Sequence, residues 1–575
     1  MRSTNPTVVP SSWASKSLVS DCNCSLCIQA RLASLTSREI MARLISILLF
    51  AALFNIAPDT LAASEESVAL PGGNRLLLDK HAVRLLDGQG VELDRFTVRG
   101  DHLDVRPQDD GALAVVFDDD RQTPLLLTIS ARNIVTQQRL SAVSFSLESL
   151  CLYRDAQQLD HLFLIAKDGL AEQWLLSPAH IPPRLLRKLA LPPTSEGCRA
   201  DDGKGLLYVK EEGIGIWAYA ADGEGVPQRR LVGNRMPKIM SAKPTERTLP
   251  IVVPVAQTAS VARSGDAADD PAIWVHPTDA TQSRVLATNK KQGLLSYDLQ
   301  GTQKQLIEAG RINNVDVRQN LRLDGKTIDL AVATQRDENA LAIFEIDNDG
   351  GVRDAGRIQT DLVEIYGTCL YRTPQGGLEV FANDKDGRFE QYRISRVGEG
   401  GMNTRYAGER LRGFRVASQP EGCVVNDRNG RLFIGEEKRG IWTLSAVATQ
   451  KEKPQLILAT GKLLVADVEG LALFHGKTSD YLIASSQGNS SYVVLDALPP
   501  YKVRGAFRIG INAEAGIDGV SDTDGLEVSA INFGGVYADG MLVVQDGYKR
   551  LPDGAQNFKY VSWRDVARAL KLDGS

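Results

Sequence analysis

Histidine is scarce in this sequence: there are six among 575 residues. No two are spaced as H-x-x-x-H, so the chain offers no histidine pair of the kind that zinc sites use. An excess of either charge is also missing. Sixty-six Lys and Arg stand against 71 Asp and Glu, a formal net charge of −5, which gives no reason to expect nucleic acid or an anionic membrane surface as a partner. Long helical periodicity is nearly absent, the exception being "SWRDVARALKL" near the C-terminus. The apolar stretch from Leu44 to Ile56 is too short for a comfortable membrane span.

That stretch follows Met41 and one arginine and precedes the small residues Ala62 and Ala63, the pattern of a secretory signal peptide over residues 41–63. A buried core helix is the alternative. Residues 1–40 are polar and Ser-rich and read as a disordered leader or an upstream start-site artefact. The expected location is therefore outside the cytoplasm, periplasmic or extracellular, with no membrane association once the signal is removed. Cys22, Cys24 and Cys27 fall in the leader, leaving Cys151, Cys198, Cys369 and Cys423 in the exported part, an even number in an oxidising compartment.

What the sequence does contain is a repeat. "LCLYRDAQQLDHLFLIAKDGLAEQWLL" from Leu150 matches "TCLYRTPQGGLEVFANDKDGRFEQYRI" from Thr368, and "SEGCRADDGKGLLYVKEEGIGIWAYA" from Ser195 matches "PEGCVVNDRNGRLFIGEEKRGIWTLSA" from Pro420. Upstream, "DHLDVR" at Asp101 echoes "NNVDVR" at Asn313. One unit thus occurs twice, as an incomplete copy over residues 64–247 and a fuller copy over 248–575. The matched cysteines predict the pairs Cys151–Cys198 and Cys369–Cys423, with four buried free thiols as the alternative. In the second copy, strand-length apolar runs such as "SRVLATN", "TIDLAVAT" and "GMLVVQD" alternate with Gly, Asp and Asn breaks. Many short strands over more than 300 residues point to an all-β propeller rather than a sandwich.

Acids recur at the ends of these runs: Asp266, Asp269 and Asp270, then Asp316, Glu364, Glu421, Glu436, Glu437, Asp467, Glu469, Asp522 and Asp524. Any one of them alone reads as a solvated loop residue. In a propeller, however, strand ends converge on the central channel, and converging carboxylates form an all-oxygen site suited to Ca²⁺. Lys290, Lys291, Arg318, Arg336 and Lys385 interleave with them, and cations beside calcium suit a polyanion, most simply phosphate.

Residues from about Val255 to Ala569 resemble the β-propeller (alkaline) phytases of bacteria. The resemblance runs in order through "DAADDPAIW", "TNKKQGL", "NNVDVR", "DGRFEQY", "EGLALF", "SSQGNSSY", "SDTDGLEV" and "NFKYVSW". It implies a six-bladed propeller and a Ca²⁺-dependent phosphomonoester hydrolase that releases phosphate stepwise from phytate (myo-inositol hexakisphosphate) through a calcium-activated water. It further implies calcium ligands at Asp270, Glu421, Glu436, Glu469 and Asp522, with Glu437, Asp467 and Asp524 in the same shell, and phosphate contacts at Lys290, Arg336, Tyr366 and Lys385. Where family members can carry an acidic ligand before "DAADD", this chain has Gln257. The first copy keeps Lys167, Glu196 and Glu211 but lacks counterparts of "DAADDPAIW", "DVEGL" and "SDTDGLEV", so it is expected to be inactive and to dock on the second copy, stabilise it or help bind phytate. Other phosphatase chemistries find no motif: there is no "RHG", no C-x5-R, and "GCRADDGKG" departs from phosphate-loop spacing. A non-enzymatic calcium-stabilised propeller, or another calcium phosphoesterase or lactonase on the same scaffold, are the competing readings.

Overall fold

A computed structural model describes residues 66–108, 111–225, 228–238, 249–398 and 405–573. The expected leader and signal peptide lie outside the described residues. Among those described, no helix is long and apolar enough to cross a membrane.

The structure is nearly all β, and its sheets are propeller-like. From Ile251 onward the strands form six sheets, antiparallel except for one added edge strand, four of them simple four-stranded meanders whose strands follow chain order. Their first, innermost strands are Ala268–Trp274, Ile312–Leu323, Ile365–Arg372, Pro420–Asn426, Val468–His475 and Leu526–Ser529. Each packs against the next, and the sixth packs back on the first. A strand such as Leu378–Asp384 is buried at every residue because its sheet has a neighbour on each face.

Apolar side chains from consecutive sheets interdigitate. Trp274 and Leu286 of the first meet Val317 and Phe344 of the second, and the series ends where Val285 and Leu295 of the first meet Met541 and Phe558 of the sixth. Closure is also made through the backbone. The outermost strand of the sixth sheet is Ala256–Gln257, from the start of this half, paired antiparallel with Asn557–Ser562. Ile251–Val252 adds in parallel to Val503–Ile509 of the fifth. The helix expected near the C-terminus is present at Trp563–Leu570, with Trp563 stacked on Phe474 at a centroid distance of 4.1 Å.

Residues 66–233 form four further four-stranded sheets. Core clusters join the first to the second, the second to the third and the third to the fourth, and no cluster among the described residues joins the fourth to the first. The repeat extends to individual bonds. Asp104 Oδ2 accepts from the Leu152 amide at 2.7 Å, and Arg106 Nη2 donates to the Leu152 carbonyl at 2.6 Å. Asp316 Oδ2 accepts from Leu370 at 2.8 Å, and Arg318 Nη2 donates to the Leu370 carbonyl at 2.7 Å. The shared "DVR" motif is thus a brace between neighbouring inner strands, with Asp316 and Arg318 spent on it. The disulfides Cys151–Cys198 and Cys369–Cys423 are both present and likewise link neighbouring inner strands.

Candidate active site

At the start of five inner strands the pairing register slips, so that two residues stand where the partner strand has one. The doubled positions are Asp269–Asp270, Asn313–Asn314, Tyr366–Gly367, Glu421–Gly422 and Glu469–Gly470. Asp524 and Gly525 hold the same place before the sixth strand, where the Gly525 amide donates to the Asp269 carbonyl at 3.0 Å. A bulge turns adjacent residues to different sides. The first members, Asp269, Asn313, Tyr366, Glu421, Glu469 and Asp524, form one tier at one mouth of the ring. The second members line the tunnel wall, where space is short: a Cβ on Gly422 would lie 2.3 Å from the Glu469 carbonyl oxygen.

A second tier comes from the residue that follows each second strand: Lys290, Arg336, Lys385, Glu437, Gln487 and Gly547. Each of these amides donates to a carbonyl just ahead of its own sheet's inner strand, those of Ala267, Arg311, Glu364, Gln419, Asp467 and Ser521 respectively. The two tiers divide the mouth by charge. Cations come from the first three sheets, and carboxylates dominate the last three.

Glu421, Glu437 and Glu469 are all buried, and each offers an oxygen within 4.8 Å of the others. Lys290 Nζ bridges to Asp266 at 2.6 Å, Asp269 at 3.1 Å and Asp524 at 3.2 Å. Gln487 Nε2 donates to Asp524 Oδ1 at 2.7 Å, and Asn313 Nδ2 to Glu421 Oε1 at 3.2 Å. On the basic side, Lys385 Nζ lies 4.6 Å and the Arg336 guanidinium 5.6 Å from the centre of the Tyr366 ring, so one ring supports two cations.

Crowding shows in the proton affinities. Burial, with the charge of Glu421, raises Asp269 to about 6 against the pull of Lys290. Burial and Glu421 raise Glu437 to about 7. Glu469 and Asp524 are pushed well up by burial, Glu421 adding to both. Burial and the charges of Glu421, Asp269, Glu469 and Glu437 keep the Tyr366 hydroxyl protonated far above its ordinary range. For Lys290, burial acts downward but Asp269, Asp524 and Glu421 outweigh it and hold the ammonium charged.

The residue types fit a hard divalent cation. The donors are oxygens only. Asp269 and Glu469 are both buried, with the Lys290 ammonium 3.1 Å from Asp269 Oδ2 and the Glu421 carboxyl against Glu469. Carboxylates so placed repel one another until a cation or protons intervene.

Of the residues expected from the sequence, the structure brings Lys290, Arg336, Tyr366, Lys385, Glu421, Glu437, Glu469 and Asp524 together. Asp467 stands beside them, its charge acting on Glu437. Asp522 is exposed at the rim, where Asp266 and Lys290 act on it. Two of the expected residues face away from this cluster. Asp270 belongs to the tunnel tier: its Oδ2 accepts from the Val315 amide at 3.0 Å, and it lines a small cavity with Asp316 and Glu527. Glu436 is the last residue of its strand, and its carboxylate is turned to Ser418, accepting from the amide at 2.6 Å and the hydroxyl at 2.5 Å. Asp269 and Glu437 hold the corresponding places at the mouth. Asn313 and Gln487 were not identified from sequence, although both lie in recognised motifs, because neither carries charge.

A family model described as Phytase matches residues 96–249 and 236–574. The chain is also 40% identical over 327 residues to the 3-phytase of Bacillus subtilis (strain 168), an alignment covering 55% of this chain and 84% of that protein. The chain belongs to the phytase family.

Proposed function

We propose that residues 248–575 form a six-bladed propeller that hydrolyses phytate stepwise with the help of Ca²⁺, and that residues 64–247 form an incomplete, inactive copy. The phytase activity of the relative and the family match support the hydrolase assignment. The observation that carries the fuller reading is the division of one mouth into a carboxylate sector and a cation sector.

Asp269, Glu421, Glu437, Glu469 and Asp524 would hold the calcium, with Asp467 and Asp522 at the edge. Calcium bound there would supply positive charge for phosphate oxygens and lower the pKa of a bound water. Arg336 and Lys385, both beside the Tyr366 ring, would bind phosphate oxygens. Both gain most as negative charge builds on the phosphoryl oxygens in the transition state. Tyr366, held protonated, serves as a hydrogen-bond donor. Lys290 neutralises three acids at once and so fixes the junction of the first and sixth sheets. A ring of phosphates around a small cyclic substrate would meet this surface at more than one point, which favours phytate over a simple monoester.

The first copy retains Glu196 in the bulge equivalent to Glu421, ion-paired with Lys210. With four sheets it lacks the places that Asp269 and Asp524 occupy. Phosphate release from phytate in calcium and in EDTA tests the reading: release that EDTA abolishes and calcium restores supports it. Equal release in both would sink the metal requirement, and none in either would sink the activity.

A further inference from the structure

Glu224 lies in the turn after the strand Gly215–Ala220, yet only 2% of its surface is exposed. Its carboxylate leaves its own four-sheet half. Oε1 accepts from the Gly519 amide at 3.1 Å, and Oε2 accepts from Ser521 Oγ at 3.0 Å and pairs with Arg550 Nη1 at 2.6 Å. Arg550 Nη1 also donates to Ser521 Oγ at 2.7 Å, and its guanidinium lies 5.4 Å from the centre of the Tyr548 ring. The turn is fastened from behind: Arg508 donates to Asp222 Oδ2 at 2.7 Å and to the Glu224 carbonyl at 3.2 Å. The fit is close, since a Cβ on Gly519 would come within 2.8 Å of Glu224 Cγ.

The clamped segment leads directly into the mouth. Ser521 precedes Asp522, whose φ of 53° is a left-handed conformation that a non-glycine residue keeps only where its surroundings impose it. The Ser490 hydroxyl accepts from the Asp522 amide at 3.2 Å, and the Gly547 amide donates to the Ser521 carbonyl at 2.9 Å. Tyr548 bonds to the Asp522 carboxylate. Two residues on stands Asp524. Adhesion between the halves does not require a buried acid, for Leu175 and Leu186 already pack on Ile511, Ala513 and Leu551. A buried carboxylate is costly unless fully paired, and this one is paired with Gly519 and Ser521, in the segment that presents Asp522, and with Arg550 behind it.

We infer that Glu224 is a positioning residue, supplied by the incomplete copy to the site of the complete one: it clamps Gly519, Ser521 and Arg550 and thereby fixes Asp522 and Tyr548 for divalent cation binding. The inference rests on the reading of that mouth as a calcium site. The incomplete copy thus contributes to the reaction without chemistry of its own.

The test uses the full chain and Glu224→Gln, Ser521→Ala and, as a control at the same interface, Arg184→Ala, which removes a donor to the Ala513 carbonyl. Calcium chloride is titrated calorimetrically, and the calcium concentration for half-maximal phytate hydrolysis is measured alongside the melting temperature. Both Glu224→Gln and Ser521→Ala should weaken calcium binding on the order of tenfold or more, as loss of a partner behind a metal ligand does, with turnover recovering at high calcium. Arg184→Ala should lower the melting temperature at most. Lower melting temperatures with wild-type calcium binding in both variants overturn the inference. If Glu224→Gln does not fold, wild-type calcium binding by Ser521→Ala overturns it alone. Glu224-dependent calcium binding in a wild-type chain that releases no phosphate would instead overturn the phytase reading and leave the clamp standing.

Discussion

Lys290 Nζ lies 3.2 Å from Asp524 Oδ2, joining the second strand of the first sheet to the segment that opens the sixth. The ring closes at this point in space although 234 residues separate the two in sequence, so the ion pair forms only once the whole chain has closed. Exchanging Lys290 for Met leaves Asp269 and Asp524 without their cation in a buried setting. The expected outcome is a loss of turnover together with tighter proton binding by both acids. Phosphate release measured against pH checks it, and an unchanged profile contradicts it.

Asp269 and Asp270 should separate experimentally. Asp269→Asn is expected to abolish calcium-dependent phytate hydrolysis with little loss of fold, because the change removes charge from a crowded mouth. Asp270→Asn acts in the tunnel wall, where Asp270 receives the Val315 amide. It should alter thermal stability while leaving measurable turnover. Steady-state kinetics and calorimetry on the pair decide it.

The cation sector carries its own expectation. Arg336→Gln or Lys385→Gln should lower kcat/KM for phytate by roughly 10²–10³, equivalent to about 3–4 kcal/mol of transition-state stabilisation. Lys385→Gln should also tighten calcium binding modestly, since the Lys385 charge acts on Glu437, and a calcium titration of the variant checks it.

The raised acids fix the sign of a pH effect. Asp269 at about 6 and Glu437 at about 7 hold protons more tightly in the folded chain than in the unfolded one. Their contribution to stability is therefore full below the ordinary carboxylate range near pH 4 and is lost as pH rises through about 6 to 7. In EDTA, the urea midpoint should fall between pH 5 and pH 8. In calcium the fall should shrink or reverse, because the cation competes with protons for the same oxygens.

Gly422→Ala should be costly out of proportion to one methyl group, as its Cβ would meet the Glu469 carbonyl oxygen at 2.3 Å. A destabilisation of about 1–3 kcal/mol, the range for an overpacked interior, is expected in urea unfolding, with lost activity because Glu421 and Glu469 must move apart.

Much of this was legible in the sequence. Short strands with polar breaks gave the all-β class, the doubled "CLYR" and "EGC" segments placed both disulfides, and the recurring acids marked the mouth. What the sequence could not show was the bulge. Simple alternation turns neighbouring residues to opposite faces, but it does not say which of two adjacent acids faces the ligand. One inserted residue in the inner strand sets Asp269 beside Lys290 and Asp270 on the Val315 amide. Likewise, the end of a strand sets Glu436 on Ser418 and frees Glu437. Glu224 was invisible for a different reason: its partners lie about 300 residues downstream, and no local pattern links them.

The central claim is that carboxylates from separate sheets gather around divalent cations at one mouth of the ring. Crystals grown in calcium chloride, examined by anomalous diffraction, test it most directly. The account predicts density between Glu421, Glu437 and Glu469 and beside Asp269 and Asp524. Well-ordered side chains with no ion among them would contradict it.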